Sequence, residues 1–213
     1  MHHDFWHNKW QKSEIGFHLP EANPLLVSHL PALKLPPGAR ILVPLCGKTL
    51  DIHWLLAQGF RVVGAELSTI AVEALFDDLK LTPTLTKIGE LTRYSALNID
   101  IFNGDFFALT AEMLGAVDAV YDRAALVALP SDMRKRYAMH LAAITQTAPQ
   151  LLVCFDYDQA QYDGPPFCVP TQEVSAHYQS FYHLNLLANV EVAGGLKGKC
   201  TAHEQVWLLT PRA

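Results

Sequence analysis

The 213-residue chain, half of it hydrophobic and free of low-complexity tracts, is long enough for one domain with a substantial core. Its formal charge of -5 excludes the broadly basic face that nucleic-acid binding uses, and four cysteines without CxxC spacing (Cys46, Cys154, Cys168, Cys200) exclude a zinc cluster or a disulfide framework. No apolar run is long enough to span a bilayer and no signal-peptide core opens the chain, so the expectation is a monomeric cytoplasmic protein with free thiols and neither membrane nor nucleic-acid partners.

Residues 1–39 precede the first strand. His2, His3 and His7 are scattered on a terminus expected to be mobile, so no metal is expected there. DFWHNKWQ sets Trp6 and Trp10 one helical turn apart, with both rings on one face. From spacing alone the pair reads as packing of a terminal helix on the core; the functional alternative is a lid with rigid aromatic surfaces. GFHLPEANP breaks that helix, and 25–30 can form another before Pro31, Pro36 and Pro37.

Residues 40–66 carry the chemistry: RILVPLCGKTLDIHWLLAQGFRVVGAE. Ile41, Leu42 and Val43 suit a strand buried on both faces, Pro44 ends it, and Gly47 permits a sharp turn. A helix with Ile52, Leu55 and Leu56 follows and stops at Gly59, and 61–65 form a second apolar strand. Glu66 stands at that strand's carboxyl end, nineteen positions after Gly47, where doubly wound sheets place an acid on ribose hydroxyls. CGKT is not a phosphate loop, because Leu42 stands where that loop needs glycine, and there is no GxGxxG. A cofactor with an adenosine and no phosphate suits this turn, which points to S-adenosylmethionine. The plain alternative is an ordinary βαβ unit whose Glu66 is solvated.

Ser68 is a helix cap and 70–79 continue with apolar spacing, whereas 83–97 read as a polar excursion with a short helix or hairpin. A third strand at 99–102 leads into NGDFF. There Asp105 can accept from an adenine amino group with Phe106 beside the ring, or simply cap a helix holding Leu109 and Met113. A fourth strand at 116–121 ends in Asp122 and Arg123, a site pair or a turn-stabilising ion pair. Ser131 caps a helix to about residue 146, with Met133, Tyr137, Leu141 and Ile144 as its inner stripe. A fifth strand at 151–155 precedes an acidic, proline-rich loop bearing Tyr157, Tyr162 and Phe167, and Thr171 opens a helix to His183. Two apolar runs, 184–192 and 204–209, are joined by too few residues for a crossover, so they form a hairpin. The expectation is one α/β domain over 1–213: a Rossmann-like, doubly wound, mostly parallel seven-stranded sheet with a C-terminal antiparallel hairpin. S-adenosylmethionine-dependent methyltransferases share this arrangement, in the order 3-2-1-4-5-7-6.

FWHNKW…GFH (5–18), LVPLCGKTLDIHWLLAQGFRVVGAELS (42–68), VYDRAALVALP (120–130) and DGPPFCVP (163–170) together resemble the bacterial thiopurine S-methyltransferases over nearly the full length. The resemblance implies a cofactor site bordered by Trp6, Trp10, Leu45, Glu66, Asp105 and Phe106, with 1–39 as a helical lid. It implies a substrate contact at Phe17 and, at Arg123, a cation that serves both the acceptor and the cofactor side. The family's second substrate-side arginine has no counterpart in AGGLKGKC, leaving Lys197 or Lys199 to supply that charge.

The implied chemistry is methyl transfer from S-adenosylmethionine to an aromatic or heterocyclic thiol, with Arg123 favouring the thiolate and Asp122 orienting Arg123. Bacterial relatives are also associated with methylation of selenium or tellurium compounds. The alternatives are a small-thiol or halide methyltransferase and a binding protein that keeps the cofactor pocket without turnover.

Overall fold

The computed structural model describes residues 3–16 and 18–212, His3 by its backbone alone. The N-terminal region holds α1 (His3–Gln11), α2 (Pro24–His29) and a 3-10 turn over Leu30–Leu33. Pro24 at the first position of α2 and the Asn23 side chain, which accepts from Leu25 N, start that helix as helix-capping chemistry predicts.

The central unit is β1 (Arg40–Pro44), α3 (Leu50–Ala57), β2 (Arg61–Glu66) and α4 (Thr69–Leu79). Thr49 and Ser68 cap α3 and α4 with their hydroxyls. There follow β3 (Thr84–Ile88), β4 (Leu91–Ala96), β5 (Ile99–Asn103), α5 (Ala111–Leu114) and β6 (Ala119–Arg123). The chain closes with α6 (Ser131–Ile144), β7 (Gln150–Tyr157), α7 (Thr171–Tyr178), β8 (Tyr182–Glu191) and β9 (Ala202–Pro211).

Among the described residues nine strands make one sheet, in the order β3-β4-β5-β2-β1-β6-β7-β9-β8. Strands β5, β2, β1, β6 and β7 are parallel, and β9 and β8 run antiparallel at one edge. Without the β3–β4 pair this is the expected order 3-2-1-4-5-7-6. The two extra strands are the correction to the seven-strand expectation: 83–97 form a hairpin that pairs antiparallel with β5. Strand β3 lies at the open edge with four of its five residues exposed, so it carries no apolar alternation to announce itself. Gly89, at φ +58°, makes the turn.

Strand alternation sorts the core into two layers. Leu42 of β1 faces a cluster with Tyr137, Ala138 and Leu141 of α6 and Val174 and Tyr178 of α7. Ile41 and Val43 face the other cluster, with Leu26 of α2, Ile52 and Leu55 of α3, and Val72, Leu75 and Phe76 of α4. Both faces are covered, which is why the central strands read as continuous apolar runs.

Several boundaries move. The expected fourth strand, 116–121, lies at 119–123, so Asp122 and Arg123 are within it. Asp105 caps a 3-10 turn over Phe106–Ala108, and α5 is a separate helix capped by Thr110. Ser131 is the first residue of α6 rather than its cap; Pro130 holds the cap position without a side-chain bond. Helix α7 ends at Tyr178, because Tyr182 already pairs in β8 and its ring is fully buried.

Candidate active site

The carboxyl ends of β1, β2, β5 and β6 open into one cavity of about 600 Å³, roofed by α1 and closed at the far side by the 162–166 loop and the β8–β9 connection. It is the crevice where open α/β sheets bind ligands. At its β1 end the chain turns through two left-handed residues, Leu45 (φ +46°) and Gly47 (φ +53°). Ala124, immediately after β6, is left-handed as well (φ +71°). Leu45 and Ala124 accept a conformation that costs a side-chain-bearing residue about 1 kcal/mol, and both line the cavity.

Glu66 is 6 % exposed at the end of β2. One carboxylate oxygen accepts from Gly47 N and the other from Ser68 N, each at 2.8 Å. Burial pushes its pKa up, and the backbone N–H groups of Ser68, Gly47 and Leu67 oppose that push. A carboxylate has about four acceptor directions, so oxygens held this way keep capacity for further donors. Cys46 beside it is buried, and its thiol is pushed well above the usual range by burial and by the Glu66 charge. It is no nucleophile.

Trp10 is buried, and its ring lies so close to Gly47 that a Cβ there would come within 3.1 Å of it. Glycine is therefore favoured at position 47 on two counts, its φ and this contact. Phe5, Trp6 and Lys9 extend the same face of α1 along the cavity, and Lys9 pairs with Glu14 at 2.6 Å. Asp105 accepts from Phe107 N at 2.9 Å and borders the cavity with Phe106, whose buried ring packs at 5.2 Å from both Tyr137 and His140.

Arg123 closes the β6 side and lines the cavity. Among the described residues it makes no hydrogen bond or ion pair, so its guanidinium is available to a ligand. Asp122 is different. Alternation turns it to the opposite face, fully buried, where it accepts from Tyr137 OH at 2.7 Å and Leu126 N at 3.2 Å. Burial raises its pKa to about 6 against those donors. The expectation that Asp122 orients Arg123 is therefore corrected: being consecutive in a strand separates their side chains.

Of the remaining sequence expectations, Trp6, Trp10, Leu45, Glu66, Asp105, Phe106 and Arg123 all border this cavity. Lys197 does so and Lys199 does not, although both ammonium groups lie over the Tyr162 ring, at 5.7 and 5.0 Å from its centroid. Phe17 lies outside the described residues; its neighbours Gly16 and His18 line the cavity. Sequence reading missed His18, Phe155, Met133 and Glu204 as wall residues. Of these, Glu204 carried the plainest signal, as an acid at the start of the apolar 204–209 run.

Among the described residues there is no group of His, Cys, Asp and Glu that could hold a metal, and no helix long and apolar enough to cross a membrane. The architecture is similar to that of a methyltransferase from Anabaena variabilis, described as S-adenosylmethionine-dependent, at 15% identity over 99% of this chain and 95% of that one, with a TM-score of 0.67. A Burkholderia thailandensis 1,6-didemethyltoxoflavin-N1-methyltransferase, crystallised with that compound and S-adenosylhomocysteine, matches with a TM-score of 0.64 at 15% identity, over 99% of this chain and 87% of that one. In sequence, a thiopurine S-methyltransferase from Xanthobacter autotrophicus is 60% identical over 210 residues, covering 98% of this chain and 99% of that protein. The sequence pattern of that family spans residues 1–211. With one methyltransferase sheet, a cavity at its carboxyl edge and family identity along nearly its whole length, the chain belongs to the thiopurine S-methyltransferase family of S-adenosylmethionine-dependent enzymes.

Proposed function

We propose that this enzyme S-methylates aromatic or heterocyclic thiols, with the negative charge on the acceptor sulfur held against Arg123 and the cofactor's nucleoside end on Glu66. The observation that carries the reading is Arg123: a guanidinium with no protein partner among the described residues, facing the same cavity as the Glu66 carboxylate. The residues fit the cofactor by their donor chemistry. Glu66 is a buried acceptor suited to two ribose hydroxyls, Asp105 an acceptor suited to the adenine amino group, and Phe106, Trp6 and Trp10 apolar walls for the nucleoside.

When bound, S-adenosylmethionine supplies an electrophilic methyl on its sulfonium. The protein's part is to bind, orient and exclude water. The Arg123 guanidinium is a cation that stabilises the thiolate over the thiol and fixes its position. Trp6, Trp10, Phe155 and Met133 wall the chamber with apolar surface and raise the strength of that ion–ion attraction. Lys197 adds a second positive charge at the far wall, in the role the family gives to an arginine.

The chamber's size and aromatic walls favour a ring-bearing acceptor over a small anion. Selenolates and tellurolates are softer anions that meet the same requirement, and their methylation is part of the proposal. So are a monomeric, cytoplasmic state and the absence of a nucleic-acid partner, which the negative net charge supports. A radiolabelled methyl-transfer screen with thiophenols, thiopurines, selenite and iodide tests the reading. Transfer to the aromatic and heterocyclic thiols is expected. Transfer to iodide alone would favour a halide methyltransferase, and tight cofactor binding with no transfer would favour a binding protein.

A further inference from the structure

Glu204 lies on β9 with its side chain in the cavity wall. Register fixes its relation to Arg123. Glu204 is opposite Phe155 on β7, Arg123 on β6 is opposite Val153, and Val153 and Phe155 share a face. Arg123 and Glu204 therefore face the same chamber from either side of β7, their backbones on the order of 10 Å apart. Among the described residues the Glu204 carboxylate, like the Arg123 guanidinium, has no hydrogen-bond or ion-pair partner, although it is half-buried. Burial raises its proton affinity, and the field of Arg123 holds part of that rise back. A carboxylate kept in an apolar wall without a partner, across from a cation likewise without one, has the separation and the charges to hold a ring by both edges.

Heterocyclic thiols differ from aryl thiols in where the proton sits. In a thiopyridone or a thiopurine the neutral compound is largely a thione with a ring N–H, so no S–H need be lost but an N–H must. We propose that Glu204 is the catalytic base for such acceptors, taking the ring N–H proton as the sulfur is methylated, and thereby favours them over simple aryl thiols. In the step the thione sulfur forms its bond to the methyl carbon. The methyl–sulfonium bond breaks with its pair remaining on the cofactor sulfur. The N–H bond breaks with its pair entering the ring as C=N, and the proton goes to the Glu204 carboxylate and from there to solvent. Arg123 cannot serve, since a guanidinium offers donors and no acceptor. Glu66 is bound by two backbone N–H groups at the other end of the cavity, and Glu14 is paired with Lys9. Asp105 accepts from Phe107 N at the end proposed for the adenine, and His18, within the field of Lys48, Asp78, Arg123 and His53, is the remaining rival in the wall.

The proposal rests on the thiol reading above, and the experiment separates the two. The kcat/KM for 2-mercaptopyridine and for thiophenol is measured with wild type, Glu204→Gln, Glu204→Asp and His18→Gln, beside S-adenosylhomocysteine affinity as a check on the fold. The ratio of mercaptopyridine to thiophenol efficiency should fall on the order of 100-fold in Glu204→Gln, the scale of a lost general base. It should fall less in Glu204→Asp, with cofactor-product affinity retained in both. An unchanged ratio in Glu204→Gln, whether both activities fall or neither does, overturns the assignment, and a fall confined to His18→Gln moves the role there. Glutamine and aspartate variants that do not fold also contradict it, because a carboxylate without partners has no structural bond to lose. If wild type methylates neither compound, it is the acceptor class that fails, not Glu204.

Discussion

Glu66 ties two elements of the fold together and, in the proposed function, holds the cofactor's ribose. Its two bonds from Gly47 N and Ser68 N tie the β1 turn to the start of α4. Hydrogen bonds to a charged acceptor contribute ~1.5–3 kcal/mol each, and two ribose hydroxyls would make two of them. Glu66→Ala should therefore weaken S-adenosylhomocysteine binding by at least tenfold in a protein that still folds; calorimetry measuring unchanged affinity would remove it from the site. The same carboxyl is held above its ordinary pKa by burial. Donors from a bound ribose favour its ionised form, so affinity should drop as pH falls and Glu66 takes up a proton, beginning above the usual carboxylate range. At Arg123 the effect should lie in catalysis. Arg123→Ala should lose most kcat/KM at pH values below the free thiol's pKa, where the protein must supply the thiolate, and Arg123→Lys should keep an appreciable part. Cofactor affinity should change little in either. Full activity of the alanine variant below that pKa would sink the role.

Helix α1 is the element most dependent on what lies beneath it. Nine residues are too few for a stable helix in isolation, so α1 persists through its packing, chiefly Trp10 on Gly47 and the contact with α4. A cofactor in the cavity would add apolar surface under Trp6 and Phe5. We therefore expect the amides of α1 to exchange at least tenfold more slowly once S-adenosylhomocysteine is bound, a lid ordered by its ligand. Equal protection with and without ligand would leave α1 a plain packing helix. The spacing of Trp6 and Trp10 made the helix and its shared face legible. Which surface that face covers was not, because a one-turn spacing is satisfied equally by a core or by a cavity. The β3–β4 hairpin was legible only as one of two alternatives, a short helix or a hairpin, because the exposed edge strand β3 leaves no apolar pattern.

For the molecule as a whole, Asp122 links stability to pH. Its folded-state pKa is raised from 3.8 to about 6. Below pH 3.8 it is protonated in both states; between 3.8 and 6 the unfolded chain releases the proton and the folded one keeps it. The fold therefore loses stability as pH rises through that window, by on the order of 3 kcal/mol from this group. Asp122→Asn should abolish that part of the slope. Urea titrations of both proteins from pH 3.5 to 7 give the difference curve directly. Any constant offset from an amide facing Leu126 N–H does not vary with pH, so a flat difference would refute the linkage.

Buried-strand runs, a turn glycine and an acid at a fixed distance after it are local or periodic features, and through them the sequence alone determined the βαβ order; the four motif blocks at 5–18, 42–68, 120–130 and 163–170 carried the family. What it could not contain is which strand faces which, because that depends on pairing between segments far apart in the chain. Asp122 and Arg123 are adjacent in sequence and sit on opposite sides of the sheet. Arg123 and Glu204 are 81 positions apart and face one chamber, since β9 enters the sheet beside β7 ahead of β8. Pleating and strand order decided both outcomes, and they exist only once the sheet has formed.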